Sequence, residues 1–460
     1  MTSWIRSPFL RMITNWFGIF DRKKYRYELS QWWNRKFKEM PAAPTGISYR
    51  PGDIILDELP YAASVSSDSI SYVCSLCFSS TATELCGGCQ KVVYCSEECK
   101  ESDYRDHYYE CCILPAEEEL PDEELRLVIR TITRYLAEKG NPTVGDFFGR
   151  KRTIDDLLSH VGDLNEEELT SIHLRVDELM TLIENHIDID YDVAMELLMK
   201  CRINSYCVMD HNDPNFYSRG RALYLAASSV DHTCEDTDEY AYMFDGRRFI
   251  LRSMAEFTLK DPGTLKVQYM PTTLPYERRR KLTLNNYFFL CSCSRCVTDA
   301  RQPLEERQKR ECDEELAAEI DTLFTEQKTM QEWYEGGTEV LKKFGDIPVT
   351  DFYHFWVLTR MQVATHEIGH LEESLLLGAR GLRGADSVLS MEPIMFYMCS
   401  AMAKLGWNKK GSKDYEAFHK GYSLAKKLFT VTHGSKHEIL TLLQSFKRET
   451  PPSELIADKR

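Results

Sequence analysis

The sequence lacks the features of two common protein classes. It contains no run of 18 uncharged apolar residues, so no transmembrane helix is predicted. It has no excess of basic residues either, because 57 Lys and Arg stand against 72 Asp and Glu, a formal net charge of −15. Phosphate affinity depends on clustered Lys and Arg. A dedicated nucleic-acid-binding protein is therefore disfavoured, and we expect no direct binding to nucleic acid.

The N-terminal segment lacks acidic side chains, because the first acidic residue of the chain is Asp21. Its apolar residues recur at helical spacing and line one helical face: Ile5, Phe9, Met12, Ile13, Trp16 and Phe20. A basic amphipathic segment at an N-terminus is typical of organelle targeting or of contact with a membrane surface. A helix docked on its own domain is the alternative. We expect a cytoplasmic and/or nuclear protein, with mitochondrial or membrane-surface targeting by residues 1–20 as a second interpretation.

Sixteen cysteines are present, and many form Cys-x2-Cys pairs, which favour zinc in a reducing compartment over a secreted disulfide framework. Residues 74–111 have the pattern C-x2-C-x8-C-x2-C-x5-C-x3-C-x7-H-x3-C. Eight such ligands complete two tetrahedral zinc sites and leave no position for water, so the sites are predicted to be structural. The predicted ligands are Cys74, Cys77, Cys86, Cys89, Cys95, Cys99, His107 and Cys111. The adjacent Cys112 is predicted not to bind metal.

This spacing closely resembles the MYND zinc finger. The resemblance implies interleaved sites, with one ion held by Cys74, Cys77, Cys95 and Cys99 and the other by Cys86, Cys89, His107 and Cys111. It also implies a peptide-binding module, often for proline-rich partners. One departure is Tyr104, which stands where the family often has Trp before the histidine.

A second group of cysteines lies further along the chain, in the segment "CSCSRC". It supplies Cys291, Cys293 and Cys296, whereas a tetrahedral zinc ion needs four ligands. The segment "SSVDHTCEDTD" offers Cys234 as the fourth. We therefore predict a third structural zinc site.

Four segments extend the resemblance to SET-and-MYND lysine methyltransferases over about residues 43–450. In chain order they are "RINSYCVMD" (202–210), "GRALYLAASSVDHTC" (220–234), "TLKVQY" (264–269) and "NNYFFLCSCSRC" (285–296). The implied fold class is α+β: a split SET β-fold, interrupted by a MYND finger and a helical insert, precedes an all-α, TPR-like helical domain. The predicted segments are a basic amphipathic leader at 1–42, the first part of SET at 43–73, the MYND finger at 74–112, the insert at 113–200, the SET core at 201–275, a post-SET zinc segment at 276–300 and the helical C-terminal domain at 301–460.

The resemblance implies an S-adenosylmethionine-dependent protein-lysine N-methyltransferase, acting on a histone or another protein with an exposed lysine. The implied cofactors are three structural zinc ions and S-adenosyl-L-methionine. Tyr269 and Tyr287 correspond to the family's catalytic channel tyrosines. The residues that correspond to its cofactor contacts are Asn204, Tyr206, Asp231, His232 and Phe289.

Several positions depart from the family pattern. Asp231 replaces an asparagine of the cofactor pocket, and Asp236-Thr237 replaces a Pro-Asn pair. Leu225 replaces a proline, Ala222 replaces a glycine, and Gly46 alone remains of a glycine-rich cofactor loop. The alternative prediction is a catalytically weak or inactive scaffold that binds partner proteins through the MYND finger and the helical domain.

The stretch His366-Glu367-Ile368-Gly369-His370 matches the H-E-x-x-H signature of zinc peptidases. A metzincin would continue with Gly at position 373 and His at 376, but the sequence has Glu373 and Leu376. Glu392 is the available third ligand of another zinc-peptidase type, and nothing around it supports that role. We therefore interpret the motif as polar residues on a helix and reject a peptidase.

Overall fold

The computed structural model describes residues 46–116, 120–209, 218–235, 237, 239–308, 311–324, 328–385 and 388–448. The predicted leader at 1–42 and Asp236 lie outside these residues. Backbone contacts divide the chain into two compact units, residues 1–47 with 258–261 and residues 48–257 with 262–460. Of the first unit, the structure describes residues 46–47 and 258–261. The sheets, cores and sites described below belong to the second unit.

The strands in the described residues are short. In chain order they are β1 (Ile47–Tyr49), β2 (Ile54–Glu58), β3 (Ala62–Val65), β4 (Glu84–Leu85), β5 (Val93–Tyr94), β6 (Gly145–Phe147), β7 (Arg150–Arg152), β8 (Ser205–Met209), β9 (Ser218–Leu223), β10 (Asp231–His232), β11 (Tyr240–Asp245), β12 (Arg248–Ser253), β13 (Phe257–Leu259) and β14 (Lys266–Val267).

The helices are concentrated in the predicted insert and in the C-terminal third. In chain order they are α1 (Glu97–Ile113), α2 (Glu123–Ala137), α3 (Glu166–Ile183), α4 (Tyr191–Asn204), α5 (Tyr276–Tyr287), α6 (Ser294–Asp299), α7 (Leu304–Gln308), α8 (Glu314–Leu323), α9 (Met330–Lys343), α10 (Phe352–Glu367), α11 (Leu371–Gly381), α12 (Val388–Lys404), α13 (Tyr415–His433) and α14 (Glu438–Ser445). This mixture of helices and small sheets confirms the predicted α+β class.

Two three-stranded antiparallel sheets join the chain on either side of the finger and the insert. Their strand orders are β11-β12-β2 and β3-β9-β8. In the second sheet Gly220 has φ 153°, and a Cβ there would lie 2.0 Å from the backbone oxygen of Ser64. Only glycine allows this approach. The strands β2 and β3, which precede residue 66, thus pair with strands that follow residue 217, as the predicted split of the SET fold requires.

The insert helices α2, α3 and α4 surround one apolar core. Leu125, Val128, Ile129 and Ile132 recur at helical spacing on α2 and are fully buried. Side-chain caps set where the helices begin: Asp122 accepts the N–H of Leu125 at 3.0 Å, and Asn165 forms a capping box with Glu168. Burial of this apolar face stabilises the insert.

The C-terminal helices from α8 to α14 pack successively on two apolar cores, one around Trp333 and one around Phe418. The predicted helical C-terminal region is therefore present. Among the described helices, none has both the length and the apolar composition needed to cross a bilayer.

The peptidase-like motif lies at the end of a helix in this region. Helix α10 ends at Glu367, and Gly369 follows it with φ 89°, so His366 and His370 do not share one helical face. His366 is buried, and its Nε2 lies 2.9 Å from the hydroxyl of Ser400. Glu392 lies 3.5 Å from Nδ1 of His433. These contacts agree with a structural role for the motif.

We predict that Glu392 makes folding stability depend on pH. The residue is 1% exposed, and burial raises the pKa of its carboxyl from 4.5 to about 8. The native state therefore holds this proton more tightly than the unfolded state. The contribution of Glu392 to the free energy of unfolding should be highest below about pH 4.5 and should fall by up to about 5 kcal/mol as the pH rises towards 8.

Urea unfolding of the wild type and of Glu392→Gln at pH 5 and pH 8 tests this prediction. The uncharged amide should make the variant more stable relative to the wild type at pH 8 than at pH 5. Glu416→Gln on the exposed face of α13 is the matched control and should show no such difference. An equal effect of Glu392→Gln at both pH values would contradict the prediction.

Candidate functional site

The first cluster of metal-binding residues comprises Cys74, Cys77, Cys95 and Cys99, whose sulfur atoms lie within 4.8 Å of one another. The Cys77–Cys95 and Cys95–Cys99 sulfur distances are 3.6 and 3.5 Å. A tetrahedron with Zn–S bonds of about 2.3 Å has edges of about 3.8 Å. Ser96 caps α1 by accepting the N–H of Cys99 at 3.2 Å, which positions Cys99 beside Cys95. Four sulfurs at these distances fit a closed zinc site.

The second cluster comprises Cys86, Cys89, His107 and Cys111. The Cys86–Cys111 sulfur distance is 3.7 Å, and Nε2 of His107 lies 3.5 Å from the sulfur of Cys89. His107 and Cys111 are one turn apart on α1. A Cβ at Gly88 would lie 2.6 Å from the sulfur of Cys111, so glycine lets the loop approach the helix. The two clusters interleave along the chain, as the finger pattern implies.

Buried charges connect the second cluster to helix α2. Nδ1 of His107 lies 2.7 Å from the carboxylate of Glu110, which accepts a hydrogen bond from Arg130 at 2.7 Å. Arg130 also donates to Asp103 at 2.9 Å and to Ser75 at 2.7 Å. A carboxylate on the second nitrogen of a ligand histidine fixes its orientation. The finger is thus joined to the insert through a fully enclosed guanidinium.

The third cluster brings Cys234 to Cys291, Cys293 and Cys296, with all four sulfurs within 4.8 Å of one another. Local hydrogen bonds shape the trio, because the sulfur of Cys293 caps α6 by accepting the N–H of Cys296 at 3.4 Å. The carboxylate of Glu235 accepts the N–H of Ser294 at 2.9 Å. The prediction of three zinc-binding clusters is confirmed.

Four aromatic rings form a cluster beside this third metal site. We define the aromatic cluster as His232, Tyr269, Tyr287 and Phe289. The Tyr269 ring centroid lies 4.9 Å from that of Tyr287 and 5.1 Å from that of His232. Phe289 lies 5.9 Å from His232 and 6.4 Å from Tyr287. The structure therefore brings together both predicted catalytic tyrosines and two predicted cofactor contacts.

Backbone pairing sets the geometry of the aromatic cluster. Strands β10 and β14 pair in parallel, with His232 opposite Val267. Nδ1 of His232 accepts the N–H of Tyr269 at 3.1 Å, which leaves Nε2–H to donate to the sulfur of Cys234 at 3.1 Å. The Tyr269 hydroxyl donates to the backbone oxygen of Val230 at 2.7 Å. One imidazole thus connects the metal cluster to the tyrosine.

Residue 288 reverses the chain between Tyr287 and Phe289. Phe288 ends α5 in a left-handed conformation, with φ 58°, and its N–H donates to Leu284 at 3.1 Å. This conformation costs about 1 kcal/mol for a residue other than glycine. The Phe288 ring stacks on His160 at 5.0 Å, which helps to offset that cost. The reversal lets the side chains on both sides of it join the same cluster.

A second aromatic group surrounds Tyr206, which lies 5.3 Å from Phe249, 5.7 Å from Tyr224 and 5.8 Å from Tyr242 between ring centroids. The Tyr242 hydroxyl donates to the backbone oxygen of Gln268, next to Tyr269, at 3.3 Å. Sequence reasoning missed Tyr242. The alternation of Tyr240, Tyr242 and Phe244 along β11 was the available signal, because alternate residues of a strand share one face.

Three predicted cofactor contacts lie outside the aromatic cluster, and one of them, Tyr206, belongs to the second aromatic group. Asn204 ends α4, where its side-chain amide donates to the backbone oxygens of Lys200 at 2.8 Å and Leu158 at 2.9 Å. Asp231 is exposed on β10. Burial raises the pKa of Tyr269, and the charge of Asp231 raises it further, so the phenol stays protonated at neutral pH. Asp231 is therefore within electrostatic reach of Tyr269.

The replacement of proline by Leu225 has a structural counterpart in Glu58. The Glu58 carboxylate accepts the backbone N–H groups of Leu225, Ala226 and Ala227 at 2.9, 2.8 and 2.7 Å. Proline has no N–H to donate. This chain thus holds the turn before β10 through a carboxylate.

Comparison with known proteins finds a MYND finger and similarity to SET and MYND domain-containing proteins. The MYND finger family matches residues 74–111. The chain is 24% identical to histone-lysine N-methyltransferase SMYD3 of Mus musculus over 85% of this chain and 90% of that protein. It is 25% identical to a SET and MYND domain-containing protein of Dictyostelium discoideum over 55% of this chain and 57% of that protein. It is 26% identical to histone-lysine N-methyltransferase ASHR1 of Arabidopsis thaliana over 55% of this chain and 52% of that protein.

The zinc content should be three ions per chain. Metal analysis of the purified wild type is therefore expected to give three, and Cys291→Ser should give two because one ligand of the third cluster is lost. Cys112→Ser is the matched control, since Cys112 is exposed and belongs to none of the three clusters, and it should retain three. A zinc content of two ions per wild-type chain would contradict the third zinc site.

Proposed function

We propose that this chain, which carries a MYND finger and is similar to SET and MYND domain-containing proteins over most of its length, methylates lysine side chains of proteins. The predicted family resemblance is confirmed by that finger and by those relatives. The activity is proposed because relatives that match most of this chain are named histone-lysine methyltransferases. A histone is accordingly the first substrate to test, and another protein with an exposed lysine is the alternative.

The observation that carries the proposal is the pair of phenols at 4.9 Å, Tyr269 and Tyr287, in a cluster connected to a metal site. A lysine amine has a pKa near 10.4 in water and must lose its proton before it attacks a methyl group. An aromatic enclosure removes water from the ammonium and thereby favours the neutral amine. Phenols suit this task because each combines an apolar ring with one polar end.

S-adenosylmethionine, when bound, would supply a methyl group activated by a sulfonium cation. The residues present suit that group, since Phe289 and the two phenols offer aromatic faces to a cation. The protein's own contribution is to hold the lysine in line with the methyl group and to exclude water. Tyr269 is held for this task by its bonds to Val230 and His232. The third zinc would hold Cys234 against residues 291–296 and so keep Phe289 beside His232.

The MYND finger is the proposed site for partner proteins. Tyr104 and Tyr108 are 67% and 46% exposed on α1, and their rings are in contact at 6.0 Å between centroids. Exposed tyrosines suit proline-rich segments, which bind in their preformed extended conformation. We propose proline-rich peptides as partners and a cytoplasmic or nuclear location.

A non-catalytic scaffold is the second candidate function. It is favoured by the amide of Asn204, which already donates to two backbone oxygens. The negative charge of Asp231, where relatives are expected to have asparagine, also favours it. In this alternative the finger and the helical domain still bind partners, but the aromatic cluster performs no reaction.

Cofactor binding distinguishes the two functions. Calorimetric titration of the zinc-loaded, full-length protein with S-adenosylhomocysteine should show saturation at one ligand per chain. Absence of binding by protein that holds three zinc ions would eliminate the enzyme and leave the scaffold.

Removing the Tyr269 hydroxyl should lower turnover without unfolding the protein. Tyr269→Phe loses the bond to Val230 and the polar end of the phenol, and we expect methyl transfer to fall at least about tenfold. The measurement is transfer of radiolabelled methyl groups from S-adenosylmethionine to purified core histones. Tyr240→Phe, outside the aromatic cluster, is the control. Unchanged turnover in Tyr269→Phe would count against its role.

A further inference from the structure

The β6–β7 hairpin of the insert lies against the segment that leads to the aromatic cluster. A Cβ at Gly145 would lie 2.6 Å from the backbone nitrogen of Ala226 and 2.6 Å from Cβ of Leu225. A glycine is therefore required for the hairpin to approach this closely. The contact fixes the position of β7, and with it Arg152, relative to residues 225–231.

Arg152 extends from β7 towards this segment. Its guanidinium donates to the hydroxyl of Ser229 and to the backbone oxygen of Asp156, each at 3.1 Å. Ser229 is two residues before Asp231 and next to Val230, which accepts the hydroxyl of Tyr269 at 2.7 Å. The side chain thus reaches the wall of the candidate active site from the helical insert.

Electrostatic effects agree with this placement. Burial lowers the pKa of Arg152, and the negative charges of Asp156 and Asp231 oppose that change. An arginine remains protonated in proteins. Glu58 also lies within reach of the Arg152 charge, but its carboxylate already accepts three backbone N–H groups. The guanidinium of Arg152 and the exposed carboxylate of Asp231 therefore lie within electrostatic reach of each other beside Tyr269.

We infer that Arg152 and Asp231 together bind the α-amino-acid end of S-adenosylmethionine, Arg152 through its carboxylate and Asp231 through its ammonium group. The inference rests on the proposed function. A zwitterion needs one fixed charge of each sign, and an arginine fork matches the geometry of a carboxylate. Arg152 would thus offset the repulsion between Asp231 and the carboxylate of this ligand, in a chain that retains Gly46 alone of the expected glycine-rich loop.

The test compares two ligands that differ only in the carboxylate. S-adenosylmethionine and decarboxylated S-adenosylmethionine are titrated calorimetrically into the zinc-loaded, full-length wild type, Arg152→Met and Lys151→Met. The wild type should prefer S-adenosylmethionine by about ten- to a hundredfold, the range of a hydrogen bond between charged groups. Arg152→Met should lose this preference by binding S-adenosylmethionine more weakly and the decarboxylated ligand as before. Lys151→Met, exposed on the opposite face of β7, should retain the preference.

Asp231→Asn adds a second measurement, because loss of the ammonium partner should weaken the binding of both ligands. Equal weakening of both ligands by Arg152→Met would show a purely structural role and overturn the inference, as would a wild type without a preference. If the wild type binds neither ligand, the proposed function fails and the inference fails with it. Binding by the wild type together with an unchanged preference in Arg152→Met overturns the inference alone.

Discussion

The candidate active site depends on the meeting of Cys234 with the trio Cys291, Cys293 and Cys296. The two parts are separated by nearly sixty residues, which include the strands β11 to β14 and helix α5. A structural zinc ion binds with a free energy that folding of a small segment can use directly. Because His232 donates to the sulfur of Cys234 and accepts from Tyr269, the metal cluster also determines where the tyrosine lies. The aromatic cluster is a consequence of this closure.

The finger is likewise joined to a distant segment, helix α2, but here through buried charges. Arg130 is 2% exposed and joins carboxylates that surround a ligand histidine. A buried guanidinium is tolerated only where several acceptors share its charge. The finger is therefore packed as a part of the larger fold, and Tyr104 and Tyr108 stay exposed on α1, where we propose that partners bind. Recognition and the proposed chemistry are thus carried by one connected framework.

Two departures from the family pattern, Leu225 and Asp231, have a counterpart elsewhere in the structure. Leu225 supplies an N–H that Glu58 accepts, and Arg152 places a positive charge near Asp231. Both compensating residues are distant in sequence from the positions they serve. A substitution that looks harmful in a local motif can therefore be balanced by a charge from another element.

Local spacing indicated the eight ligands of the finger and the trio Cys291, Cys293 and Cys296, because thiolates and imidazole at these intervals have few other uses in a reducing compartment. It did not indicate Cys234, which was predicted because a tetrahedral ion needs a fourth ligand. The helical periodicity around Leu125 was equally accessible, since a 3.6-residue period is visible in the residues themselves. The α+β class followed from the resemblance to SET-and-MYND methyltransferases. The resemblance carried by the ordered segments from 202 to 296 predicted which phenols line the proposed active site.

Tertiary structure alone decided the rest. That Tyr269 and Tyr287 lie 4.9 Å apart, that Phe288 takes a left-handed conformation and that Asn204 bonds to backbone oxygens depend on contacts between distant segments. The role of Arg152 depends on a hairpin that only Gly145 allows to approach. Residue types and spacing determine which groups have the chemistry to act, whereas packing across the chain determines which of them meet.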